Sequence, residues 1–96
     1  MRITLHPEAE DEFNEAAFWY SQQSIGLDTE FVRCIDEAIN RIYRNPDSFP
    51  LTHEQLRKTV VKKFPFIILY ESLKDEIRII AIFHTRRNPK NWQKRN

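Results

Sequence analysis

Three apolar runs in the second half of the chain, Arg57–Lys63, Phe66–Ser72 and Ile77–Phe83, are separated only by Phe64-Pro65 and by Leu73–Glu76. Connections this short suit hairpins and leave no room for a crossover, so the runs are expected to form an antiparallel meander. The segments FIILY and IRIIAIF also lack the clean alternation of a strand with one wet face. Both faces of the sheet are therefore expected to be covered at least in part.

The first half has a helical period instead. Arg2–Leu5 reads as a short strand, after which His6-Pro7 opens a helix with Pro7 at a tolerated first-turn position. Ala9, Phe13, Ala16, Ala17 and Tyr20 form one apolar stripe. Gly26, the single glycine, is expected to cap this helix in a left-handed conformation. Asp28 is expected to N-cap a second helix that buries Phe31, Cys34, Ile35, Ala38, Ile39 and Ile42 and stops at Asn45-Pro46. So short a link implies an antiparallel helical hairpin. Asp47–Glu54 reads as loop. The expected fold is α+β, one domain over residues 1–96, in the order β-α-α-β-β-β with the hairpin packed on a mostly antiparallel sheet.

Ninety-six residues with twelve aromatics suffice for one core. A lone cysteine excludes an internal disulfide, and Cys34 falls on the buried helical face. No Cys/His spacing suggests a metal site, no glycine-rich loop suggests a nucleotide, and no apolar run is long enough for a membrane span. No metal and no cofactor are expected, and the cytoplasm is the expected location.

Charge is divided unevenly. Residues 1–53 carry four Lys/Arg against ten Asp/Glu, a net of −6; residues 54–96 carry eleven against four, a net of +7. The last eleven residues hold Arg86, Arg87, Lys90, Lys94 and Arg95 with no acid, and place Trp92 among them. Positive charge fixed at the end of a buried strand suits a polyanion or an acidic protein partner. Because the apolar strands end at Phe83, the tail is expected to be dispensable to the core.

The order of elements, with PEAEDEF, GLDTEF and NPDSFP on the helices and FPFIILY and AIFHTRRNPKNW on the strands and tail, resembles the RelE/ParE toxin superfamily of type II toxin–antitoxin modules. The FPF block and HTRRNPKNW look more like the ParE-type plasmid stabilisation group. The resemblance implies a small toxin partnered by a cognate antitoxin. ParE-like members poison DNA gyrase by binding it, whereas RelE-like members cut mRNA on the ribosome. A degenerate member would retain antitoxin binding alone.

The site residues follow from these readings. Cleaving RNA through its 2′-OH requires a base, an acid and cations for the developing charge. If the chain is a nuclease, His84, Arg86 and Arg57 are the catalytic candidates, brought together by the meander. Trp92 cannot act as a general acid, although His84 could substitute. If the chain acts by binding, Arg57, Lys62, Lys63, Arg86, Arg87, Lys90, Trp92, Lys94 and Arg95 form the target or partner surface. Bland readings stand beside these: Trp92 folded back on the sheet, His84 hydrogen-bonded at a strand end, Arg57 paired with Glu54 or a helix acid. His6 and His53 read as incidental.

Overall fold

The computed structural model describes residues 1–95. The chain runs β1 (Arg2–Leu5), α1 (Pro7–Gln23), α2 (Leu27–Arg44), β2 (Leu51–His53), β3 (Leu56–Val60), β4 (Phe66–Ser72), β5 (Glu76–His84) and α3 (Lys90–Gln93). One sheet has the order β1-β5-β4-β3-β2. The meander pairs antiparallel throughout, and β1 joins β5 in parallel. The long excursion through α1 and α2 supplies the crossover that a parallel pair requires. The expected α+β fold with its helical hairpin is present.

Helix α1 starts at Pro7 as expected, but His6 is not incidental. Its Nδ1 accepts from the Glu8 N–H at 3.1 Å, capping one free donor of the first turn. Gly26 does adopt a left-handed φ of 84°, yet it opens α2, and α1 is closed by Ser24. Asp28 lies inside the first turn of α2 and makes no capping bond; its charge still suits the helix N-terminus.

The inner core lies between hairpin and sheet. Phe31 of α2 stands 5.1–5.9 Å, ring to ring, from Phe13, Tyr20, Phe64 and Phe66. Cys34, Ile35, Ala38 and Ile42 continue the same face against Ile68, Tyr70, Ile77 and Ile79. Two ion pairs and a hydrogen bond tie α2 to the end of β3 and the turn after it. Lys63 reaches Glu30 at 3.2 Å, Lys62 reaches Glu37 at 3.9 Å, and Arg41 donates to the Val60 carbonyl at 2.9 Å. Strand β3 ends at Val60, so Lys62 and Lys63 sit in this turn and not on a strand.

The uneven pattern of IRIIAIF has two causes. Ile79 pairs with Tyr70 and Ala81 with Leu69, which leaves Ile80 as an extra residue in a bulge. Ile77 and Ile79 face the helices before it and Ile82 after it, while Ile80, Ala81 and Phe83 face the other way. A single inserted residue thus exchanges the two faces. The outer face is apolar because it is covered. Leu56, Leu69, Ile80, Ala81 and Phe83 pack with Trp92, which is 6% exposed. Residues read as loop supply β2, whose His53 ring meets the Trp92 indole edge to face at 5.6 Å. Three residues are too few for a periodic signal.

The tail is therefore part of the core. Trp92→Ala should lower the unfolding free energy by about 3 kcal/mol, as aromatic truncation at a packed site does, measured by urea denaturation. Ending the chain after Asn88 should destabilise the fold at least as much.

Glu30 generates a second prediction. The hydrogen bond from Arg33, then that from Lys63, holds its carboxyl at about 2, against an ordinary 4.5. A lowered folded-state value contributes stability that is complete above about 4.5 and is lost as pH falls through about 2. In Glu30→Gln, stability should fall less between pH 5 and pH 2 than in the parent chain, read from urea midpoints across that range.

Candidate functional site

The register separates the proposed nuclease residues. Arg57 pairs with Tyr70 at one end of β4, and His84 pairs with Phe66 at the other. Four residues of strand and two strand spacings put them roughly 16 Å apart. Arg57 is engaged locally: its Nη1 donates to the Phe49 carbonyl at 2.6 Å, with no bond to Glu54. Beside it Tyr70 donates its hydroxyl to the Pro46 carbonyl at 2.6 Å. Burial pushes the Tyr70 phenol up to about 12, against the opposing pull of Arg57. Together the two side chains pin the loop that follows α2. The meander does not bring Arg57 to His84 and Arg86.

His84 follows the bland reading. Its Nδ1 accepts from the Arg86 N–H at 3.1 Å, and its ring lies edge to face on Phe66 at 5.2 Å. A neutral ring so bonded carries its proton on Nε2.

The nine residues expected at a binding surface fall into groups. Arg57 is taken by the loop, and Lys62 and Lys63 are paired with α2. Trp92 is buried. The Arg95 side chain is covered too, only 7% exposed, and its guanidinium forks onto Glu12 at 2.8 Å on both oxygens. That bond, more than the pairing with Glu8, holds Arg95 above its ordinary pKa. Trp92 and Arg95 are thus removed from the exposed surface. Arg87 lies 3.8 Å from Glu12 and 5.7 Å above the Phe83 ring. Arg86, Lys90 and Lys94 are exposed, and among the described residues they make no ion pair. They follow the end of β5 and flank α3, so a rigid strand and a docked segment carry three free cations.

A groove that the sequence did not reveal runs between α1 and the adjoining ends of β4 and β5. Two neighbouring cavities of about 200 and 180 Å³ share Ala16, Phe66 and His84. Trp19 and Tyr20 line one end, Glu12, Glu15 and Arg87 the other. Trp19 is 57% exposed, which leaves a large apolar side chain of the groove in water. The one sequence signal was the run Phe18-Trp19-Tyr20, too wide around the helix for all three to be buried. No group of His, Cys, Asp or Glu among the described residues is placed to hold a metal, and no helix among them is long and apolar enough to cross a membrane.

Comparison with known proteins bears on the family and the fold. Residues 3–89 match the family model described as the ParE toxin of the type II toxin–antitoxin system, parDE. Toxin ParE2 of Mycobacterium tuberculosis is 25% identical over 89 residues, covering 92% of this chain and 85% of the relative. A solved chain titled as the chromosomal ParDE TA system from P. aeruginosa shares the fold. Its TM-score is 0.75 over 90% of this chain and 97% of its own, at 18% identity. Such a family implies a cognate antitoxin as partner. The chain belongs to the family of ParE toxins of type II toxin–antitoxin systems.

Proposed function

We propose that this ParE-type toxin acts by binding, with DNA gyrase as its target. The supporting observation is the set of three free cations, Arg86, Lys90 and Lys94, carried on a docked support, while Arg57 and His84 lie at opposite ends of the sheet. A surface of fixed positive charge suits an acidic protein or a protein–DNA complex. The target itself comes from the ParE-like character of the sequence. The cognate antitoxin occupies the groove beside α1. Its segment lays apolar anchors on Ala16, Trp19, Tyr20 and Phe66 and turns acids toward Arg86 and Arg87. The outer sheet face is already filled by Trp92 and is not free for an antitoxin segment.

Purified toxin should block supercoiling of relaxed plasmid by gyrase, leave ribosome-bound mRNA intact, and lose its effect when antitoxin is added. Neutralising Arg86, Lys90 and Lys94 together should weaken the block at least tenfold, about 1.4 kcal/mol. Trp19→Ala should cost about 2 kcal/mol of antitoxin binding with little change in folding stability, the scale of an interface anchor. Codon-phased cuts in ribosome-bound message with undisturbed supercoiling would favour the RelE-like mechanism. Undiminished antitoxin affinity in Trp19→Ala would remove the groove assignment.

A further inference from the structure

Glu12 is the acid on α1's apolar stripe, and it is 9% exposed. Its Oε1 accepts from the Ile82 N–H at 3.1 Å and from Arg95 Nη1 at 2.8 Å, and its Oε2 accepts from Arg95 Nη2 at 2.8 Å. Arg95 Nη1 also donates to the Ile80 carbonyl at 3.1 Å, and Arg95 Nε lies 2.8 Å from Glu8. The backbone explains the pattern. Strand β1 stops at Leu5, opposite Ile79, so β5 continues past Ile79 with no strand on that side. Its exposed edge there offers an N–H at Ile82 and a C=O at Ile80. Glu12 supplies the acceptor and Arg95 the donor that a neighbouring strand would have provided. The segment held by this pair carries Trp92 onto the outer face and Lys90 and Lys94 beside it.

A buried ion pair adds little net stability over a well-packed apolar pair, but its fork geometry fixes one orientation. We propose that Glu12 is a positioning residue for toxicity: by clasping Arg95 against the open edge of β5, it docks residues 90–95 and sets the direction in which Lys90 and Lys94 project. This rests on the reading that those cations meet the target. Trp92 and Arg95 lie beyond residues 3–89, the stretch that matches the family model, so the clasp joins a residue within that stretch to one outside it.

The test uses the full chain with Trp19→Phe, so that Trp92 is the only indole. Glu12→Gln keeps the size of the side chain and the acceptor for Ile82, but removes the charge. Arg95→Lys keeps the charge and removes the fork. Three readouts are taken: Trp92 emission, growth arrest on induction at matched protein level, and melting to confirm a cooperative fold. For Glu12→Gln, cleavage by a lysine-specific protease after Lys90 and Lys94 is added. Both variants should melt cooperatively, shift Trp92 emission to the red and lose at least tenfold in growth arrest. Cleavage of Glu12→Gln should be at least tenfold faster. The exchange Glu12→Arg with Arg95→Glu should restore neither docking nor toxicity, because arginine cannot accept from Ile82 and glutamate cannot donate to Ile80. Recovery in that double variant would overturn the edge-capping role. An undocked segment with growth arrest undiminished would overturn the positioning role, as would a segment that stays docked in both single variants. A wild-type chain that arrests growth without blocking supercoiling would remove the gyrase reading and leave this one standing; a wild-type chain that does neither would overturn both.

Discussion

Strand β5 is covered on both faces, and its two edges are satisfied in three different ways. One edge pairs with β4 along nearly its whole length. The other pairs with β1 as far as Ile79 and then passes to the Glu12–Arg95 pair. Its inner face carries Ile77, Ile79 and Ile82 into the helical hairpin, and its outer face carries Ile80, Ala81 and Phe83 under Trp92. The hairpin, the first strand and the C-terminal segment are each located by which atoms of β5 they satisfy. A buried strand can leave few of its polar groups unpaired, and this one recruits side chains where the sheet runs out.

The lopsided charge of the sequence acquires a partly internal meaning. The acidic first half is the hairpin, and the basic second half is the sheet and tail. Folding sets Glu30 against Lys63, Glu37 against Lys62, and Glu8 and Glu12 against Arg95. Some of the attraction that a partner would have exploited is spent within the chain. Of the nine residues that composition suggested, Arg86, Lys90 and Lys94 are the ones that are exposed and make no ion pair among the described residues, a smaller and better placed set.

The helical hairpin, the meander and the covered faces were legible because each rests on a repeated pattern: the 3.6-residue stripe of α1 and α2, or runs of apolar residues between short turns. What escaped depends on single residues acting across the fold. A bulge at Ile80 leaves only a broken alternation, which sequence cannot distinguish from a strand buried on both faces; here both hold. Glu12 stands in an acidic run close to the start of α1, with nothing local to mark it, and its burial is set by Arg95, 83 residues away. Trp92 and Arg95 looked like contact residues because a cationic, aromatic tail reads alike whether it faces a partner or its own sheet. The groove beside α1 was unreadable for a related reason: it arises where β4 and β5 end against a helix that continues past them.

The central claim is that the Glu12–Arg95 pair stands in for a missing strand at the open edge of β5. Native-state amide exchange at Ile82 tests it most directly, because no strand hydrogen bond protects that N–H. Protection comparable to that of Ala81 and Phe83, which face β4, is the predicted result, falling selectively at Ile82 when Arg95 is replaced by alanine. Fast exchange at Ile82 in the intact chain, like that of a free strand edge, would contradict the account.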